Sequence, residues 1–285
     1  MLLMADKSTT HEVPRGLEMS LPARAENVAV IRHALAGLAE EIGMDEAGVA
    51  DLKTVVTEAC MNVAVHAYDG DPGPLNVLAE PDEDGLTVIV RDSGRGIRPR
   101  ADVEQSSLRL GLSLIAALSS SFSFSGGIDR GTQVEMRLPL VGGGAREGGP
   151  SDSAIATPAE GTEIEVGSPE LLAPVLSRIV GALAARRDLP IDRVSDAVLL
   201  TDAIAAVAPD KFANGSVKLA LVDSDVGVRL RLGPMEPGGA EEVRSGLAMP
   251  DVGGSLETLA DEFAVETEDG GDYLAIGFSS PAPAP

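Results

Sequence analysis

Three short stretches of this chain carry side chains of the kind that do chemistry. In Thr57-Glu58-Ala59-Cys60-Met61-Asn62, Glu58 and Asn62 stand four apart, so on a helix they share a face. The apolar stripe of that helix is Val49, Leu52, Val56, Ala59 and Val63, and both polar residues lie off it. Val55, Met61 and Val65 are apolar as well, so much of the helix is expected to be covered, and a covered carboxylate or amide needs partners. An Asn carbonyl oxygen suits Mg²⁺, a hard cation that keeps waters and phosphate oxygens in its shell. A carboxylate beside it can accept a proton from an attacking hydroxyl or water. Taken alone, the spacing equally describes a solvated helix edge.

The second stretch is Val88-Ile89-Val90-Arg91-Asp92-Ser93-Gly94-Arg95-Gly96-Ile97, a β-branched strand running into D-x-G-x-G. An Asp at a strand end can accept a hydrogen bond from an exocyclic amino group such as that of adenine, and two glycines let backbone come close to a ligand. The same residues also describe a tight turn with an Asx cap. The third is Arg109-Leu110-Gly111-Leu112-Ser113-Leu114-Ile115. A Gly at the start of an aliphatic helix would leave N-terminal amides open to phosphate, or would simply open a helix.

These stretches need elements to hold them. Residues 1–14 are polar and mixed and are expected to form a loose tail. From there the apolar period predicts a strand at Leu17–Leu21 and a helix at Ala25–Ile42. A second helix opens at Asp45 or Glu46 and runs to about Ala67, and strands follow at Leu75–Glu80 and Leu86–Arg91. A helix over Gly111–Ser120 and strands at Ser121–Ser125 and Thr132–Leu138 complete an α+β unit over residues 15–140, with helices on one face of an antiparallel sheet. Residues 141–161, rich in Gly, Ser, Ala and Pro without apolar period, predict a flexible linker. A second periodic region spans 162–281.

In their order and spacing, with a Gly131-Thr132 step before the last strand, the three stretches resemble the N, G1 and G2 boxes of the GHKL ATP-binding fold (gyrase, heat-shock chaperone, histidine kinase, MutL). The string TEACMNVAVHAY, with His66-Ala67-Tyr68 after the E-A-x-x-N core, and the opening Leu21-Pro22-Ala23 resemble the RsbW-type anti-sigma-factor serine kinases. The resemblance covers roughly residues 15–140 and implies a two-layer α/β sandwich of the Bergerat type with ATP or ADP and Mg²⁺ as ligands. It implies that Asn62 binds Mg²⁺, that Glu58 is the general base for a serine hydroxyl, and that Asp92 holds the adenine amino group. Gly94 and Gly96 would shape the base pocket, Gly111 and the amide of Leu112 would line the phosphates, and Thr132 would support Asp92. Phosphoryl transfer then asks mainly for positioning and charge neutralisation. One departure stands out: Leu108 and Arg109 occupy positions where such proteins commonly have Gly, which would stiffen the phosphate loop. Arg109, or Arg98 and Arg100 in the Ile97–Leu108 lid, could offset phosphate charge, or all three could be solvated. His66 is expected to make a structural hydrogen bond at its helix end.

The second region repeats the first. Residues 55–68 lie over 199–212, residues 85–90 over 227–232 and residues 114–124 over 255–265, at offsets of 144, 142 and 141. The tandem copies would form a pseudo-dimer within one chain, or the chain would form a homodimer. The chemistry does not repeat: Asp202 stands opposite Glu58, Ala206 opposite Asn62, and Pro234 opposite Asp92. A degenerate domain serving interaction or dimerisation is expected.

Composition narrows the field. With 45 acidic against 22 basic residues the net charge is −23, which repels nucleic acid and anionic membranes and serves either solubility or a basic protein partner. Met1–Met4 is too short for a signal-peptide core, and no apolar run approaches the roughly 20 residues of a membrane span, so a cytoplasmic protein is expected. The lone Cys60 sits in an apolar run and is expected to act as a small core residue. The leading expectation is an ATP-dependent serine kinase that sequesters a sigma factor and phosphorylates a STAS-type anti-anti-sigma protein. The alternative is a switch or interaction module of the same fold that binds ATP without transferring phosphate.

Overall fold

The computed structural model describes residues 16–95, 104–126, 130–140, 162–224, 227–249, 253–268 and 270–279. The expected tail at 1–14 and linker at 141–161 lie outside these residues, as do Gly96, Arg98 and Arg100. The first half runs β1 (Leu17–Pro22), α1 (Ala25–Glu41), α2 (Glu46–His66), β2 (Pro74–Asp82), β3 (Gly85–Asp92), α3 (Glu104–Leu118), β4 (Ser121–Gly126) and β5 (Thr132–Pro139). The second half runs β6 (Thr162–Val166), α4 (Leu172–Arg186), α5 (Ile191–Val207), β7 (Val217–Ser224), β8 (Gly227–Met235) and α6 (Gly239–Gly246). A small hairpin of β9 (Ala248–Met249) and β10 (Gly254–Ser255), a 3-10 turn at Leu256–Leu259, β11 (Glu262–Glu268) and β12 (Gly271–Ser279) complete it.

Local signals explain the elements. In β1 Leu17, Met19 and Leu21 point inward and alternate with Glu18, Ser20 and Pro22, the period of a half-buried strand. Helix α2 starts at Asp45, whose Oδ1 accepts the Gly48 amide at 2.8 Å and satisfies one of the open N-terminal donors. The β2–β3 hairpin turns over Glu83-Asp84, and Asp82 Oδ1 accepts from the amides of Asp84 and Gly85.

Ten strands form one antiparallel sheet in the order β11-β12-β8-β7-β6-β1-β2-β3-β5-β4. Each half has the same internal order: β1-β2-β3-β5-β4 matches β6-β7-β8-β12-β11 strand for strand. The halves meet where β1 pairs with β6, Leu17 opposite Val166 and Met19 opposite Ile164, and Gly167 donates to Gly16 O at 2.8 Å. Helix α1 lies beside α4 over that joint. A Cβ on Gly37 would stand 2.1 Å from Pro174 O, so the two helices approach at a distance that only glycine allows. Arg178 pairs with Glu40, and Arg186 donates to the buried Asn27, whose own amide holds Pro22 O at 2.8 Å. The two halves thus share one continuous sheet. Buried aliphatic residues from both halves make one continuous core between helices and sheet.

Candidate functional site

Helix α2 is pinned to the core by Val49, Leu52, Val55, Val56, Ala59, Cys60 and Val63. That fixes the helix rotation and leaves Glu58 and Asn62 half-buried on the edge that faces α3. Gly111 of α3 sits directly over them: a Cβ there would be 2.8 Å from Glu58 Oε2 and 3.3 Å from Asn62 Nδ2. The Asn62 Nδ2 atom is buried and has no hydrogen-bond partner among the described residues. Buried amides are normally paired, so this one is poised for a partner outside the chain. Turning the carboxamide about its last bond exchanges nitrogen for oxygen in the same place. An orphaned carboxamide one turn from a carboxylate fits a Mg²⁺–phosphate group: Asn62 would offer an oxygen to the cation, and Glu58 would accept a proton nearby.

The other end of the site is built on β3, which delivers Asp92 to the core side with only 6 % of its surface exposed. Its Oδ1 accepts the Gly94 amide at 2.8 Å, and its Oδ2 accepts the Thr132 hydroxyl. Each carboxylate oxygen retains a lone pair for a further donor. Two glycines make the geometry. A Cβ on Gly94 would stand 2.2 Å from Ala67 O, and one on Gly131, which has φ +70°, would stand 2.0 Å from Asp92 O. Gly131 also donates to Gly94 O and Arg95 to Ala67 O, so the loop after Asp92 is clamped between the end of α2 and the start of β5.

Tyr68 completes the clamp. Its hydroxyl donates to Pro74 O at 2.6 Å and accepts the Ser93 amide at 2.9 Å, and its ring packs on Gly73. Burial pushes the Tyr68 phenol above its ordinary range, the Ser93 amide opposes that, and Asp92 adds to it. Tyr68 makes the structural hydrogen bonds at this helix end, where the His66 side chain was expected to make one and makes none among the described residues. The H-A-Y sequence carried that signal, but only the tertiary packing shows which residue acts. Cys60 is fully buried, and burial pushes its thiol up to about 12, so it is an inert core residue.

The phosphate end differs from expectation. Helix α3 begins at Glu104, not at Gly111, so the amides of Gly111 and Leu112 lie inside the helix and not at an open N-terminus. The reason is the departure already noted: Leu108, Arg109 and Leu110 are good helix formers and carry the helix across the position where glycines would break it. Gly111 is required by close approach to Glu58 and Asn62, not by a helix start. Arg109 is in this helical segment, and its side chain is not among those described.

In the second half, buried Ala197, Leu200, Thr201, Ile204 and Ala205 of α5 fall in step with Leu52, Val55, Val56, Ala59 and Cys60 of α2, so Ala203 and Val207, and not Asp202 and Ala206, stand where Glu58 and Asn62 do, and Gly246 lies against Val207 as Gly111 lies over Asn62. Sheet register places Met235, not Pro234, in the position of Asp92. The β8–β12 ladder shifts by one between Asp272 and Leu274, so Met235 lies opposite Asp272, and a Cβ on Gly271 would be 2.4 Å from Met235 O, the contact Gly131 makes with Asp92 O. Met235 is fully buried. The buried carboxylate of this half is Asp272, on the neighbouring strand, and it is held by the Gly238 amide at 2.6 Å and the Thr267 hydroxyl at 2.9 Å.

Residues 21–138 match the family model of the histidine kinase-like ATPase domain. The serine-protein kinase RsbW of Bacillus cereus (strain ATCC 10987 / NRS 248) is 40% identical over 78 residues, which are 27% of this chain and 49% of that protein. The serine-protein kinase RsbW of Bacillus mycoides (strain KBAB4) is likewise 40% identical over 78 residues, with the same shares of the two chains. The chain therefore spans about half the length of the curated relatives it matches. No helix among the described residues is long and apolar enough to cross a membrane.

Proposed function

We propose that residues 15–140 bind ATP with Mg²⁺ and act as a serine-protein kinase and anti-sigma regulator that phosphorylates a STAS-type antagonist and sequesters a sigma factor. The observation that carries this reading is the buried, unpartnered Asn62 amide one turn from Glu58, at one end of a site whose other end is the buried Asp92 carboxylate. The match of residues 21–138 to an ATPase domain and the similarity to RsbW kinases support it. In this reading Asp92 accepts the adenine amino group, and Gly94 and Gly131 keep its carboxylate in place. Asn62 holds the cation, which when bound neutralises phosphate charge. Glu58 takes the proton of the attacking serine hydroxyl.

Calorimetric titration of the full chain with ATP, with and without Mg²⁺, tests the binding step. One Mg²⁺-dependent site per chain, lost in Asn62→Ala, is expected; no binding at millimolar ATP would sink it. Transfer is tested separately by Glu58→Ala with radiolabelled ATP and a STAS-type substrate: a kinase loses transfer while keeping ATP.

A second reading, an ATP-binding switch without transfer, is favoured by one observation: α3 runs helically through Leu108 and Arg109 and covers the Glu58–Asn62 edge. We also read the chain as two copies of one fold. The support for this is the identical strand order of the halves and the matching helix order.

A further inference from the structure

We propose that Tyr68 is a positioning residue for nucleotide selection: acting through Ser93, it fixes the Asp92 carboxylate where it reads an adenine amino group and turns away a purine that carries oxygen there. The proposal rests on the nucleotide reading above. The loop after Asp92 is tied to three successive residues at the end of α2. Ala67 O accepts the Arg95 amide at 2.9 Å, the Tyr68 hydroxyl accepts the Ser93 amide at 2.9 Å, and Asp69 pairs with Arg95. The Asp69 side chain is 71% exposed, so water competes for that pair. The Ala67 contact is made by backbone on both sides. Tyr68 is therefore the side chain through which α2 sets this loop.

The Tyr68 hydroxyl works in two directions. It accepts from Ser93, next to Asp92 in the chain, and it donates to Pro74 O, next to Leu75, which pairs with Asp92 across β2 and β3. Both supports of the Asp92 backbone thus hang on one oxygen. Burial pushes the phenol above its ordinary range, so it keeps the proton it donates to Pro74 at neutral pH. Gly73 sets the ring: a Cβ there would stand 2.2 Å from Tyr68 Cε1 and 2.5 Å from Cζ, which bears the hydroxyl. The second half holds the matching amide differently. Register puts Met235 in the place of Asp92 and so Glu236 in that of Ser93. The Glu236 amide donates to Lys211 O at 2.8 Å, and the aromatic beside it, the buried Phe212, has no hydroxyl. The hydroxyl therefore stands in the half whose strand end carries a carboxylate. ATP offers that carboxylate an amino group, whereas ITP puts a carbonyl oxygen in the same place, which a carboxylate repels.

The test titrates the full chain with ATP and with ITP, each with Mg²⁺, in a calorimeter. The wild type should bind ATP at least about tenfold more tightly than ITP. In Tyr68→Phe that ratio should fall at least about threefold, through weaker ATP binding with ITP binding unchanged. Gly73→Ala leaves the hydroxyl on the chain but displaces it, since the ring of Tyr68 supplies the three atoms nearest the new methyl, and it should lower the ratio in the same way. An unchanged ratio in Tyr68→Phe, or ATP and ITP weakened by one common factor, would overturn the role of Tyr68 and leave the nucleotide reading standing. A wild type that binds ATP and ITP equally would overturn the reading of Asp92 itself, and this proposal with it.

Discussion

Helices α2 and α5 occupy the same place in the two halves and have opposite fates. Helix α2 carries Glu58 and Asn62 on the edge covered by the 15-residue α3; α5 carries the aliphatic Ala203 and Val207 at the same positions, beside the eight-residue α6. At the neighbouring strand end, the first half has a buried Asp92 with room for another donor, and the second has a buried Met235 with its carboxylate moved to Asp272 and enclosed by Thr267 and Gly238. Both halves build the same sheet order and contribute to one core, so the polar set of the first half is not needed for the fold. A buried amide without a partner costs stability.

The sharpest way to break this comparison is to exchange the strand-end residues. Asp92→Ala should weaken ATP binding by about 10- to 100-fold, the size of a lost hydrogen bond to a charged group. Met235→Asp in the second half should create no second site in the same calorimetric titration, because Val207 offers no cation ligand there. A stoichiometry of two ATP per chain would end the distinction between the halves.

The next effect concerns what covers α2. Each glycine inside a helix costs about 1 kcal/mol relative to a good helix former, so Leu108→Gly with Arg109→Gly should loosen the first turns of α3 by about 2 kcal/mol. If that segment must yield to admit phosphate, ATP affinity rises by up to about 30-fold. Unchanged affinity would show that α3 does not compete with the nucleotide. This effect also marks the limit of legibility in the sequence. The elements between Leu17 and Arg91, β1 through β3, followed from their apolar periods, whereas Glu58, Asn62 and Asp92 were candidates by residue type and spacing. Gly111 was legible as special but for the wrong reason, since close approach and a helix start leave the same letter. Met235 was hidden by a one-residue bulge, and Tyr68 by a role that exists only once Pro74 and Ser93 are brought together. That β1 would take β6 as its neighbour is a matter of edge pairing, which apolar alternation alone does not specify.

The seam between the halves gives a smaller effect. Gly37→Ala places a methyl 2.1 Å from Pro174 O, so α1 and α4 must separate. Overpacking of about 1–3 kcal/mol, partly offset by about 1 kcal/mol of helix propensity, should leave a net loss of about 1–2 kcal/mol in chemical denaturation. A loss of cooperativity would show that the seam couples the halves; a stabilised protein would show that the seam yields freely.

The smallest effect distinguishes the halves by acid. In the first half Arg137, nearly buried, holds Asp82 with two hydrogen bonds of 2.8 and 2.7 Å, and this bond, aided by the turn amides against the opposing effect of burial, lowers the Asp82 carboxyl from 3.8 to about 2. Register places Gly277 where Arg137 would be in the second half, since Gly277 pairs with Arg229 as Arg137 pairs with Thr87. A carboxyl depressed in the folded state contributes stability that is fully present above its unfolded value and is lost as pH falls through the folded one. Stability should therefore drop between about pH 4 and pH 2, and Asp82→Asn should flatten that limb of a pH-dependent unfolding series. The pair is partly solvated at Asp82, so the loss is modest and shrinks with added salt. An acid limb unchanged in Asp82→Asn would place the acid sensitivity elsewhere, with Asp261 of the second half next in line, because the Ser279 amide and hydroxyl and Arg193 lower its carboxyl against the opposing effect of burial.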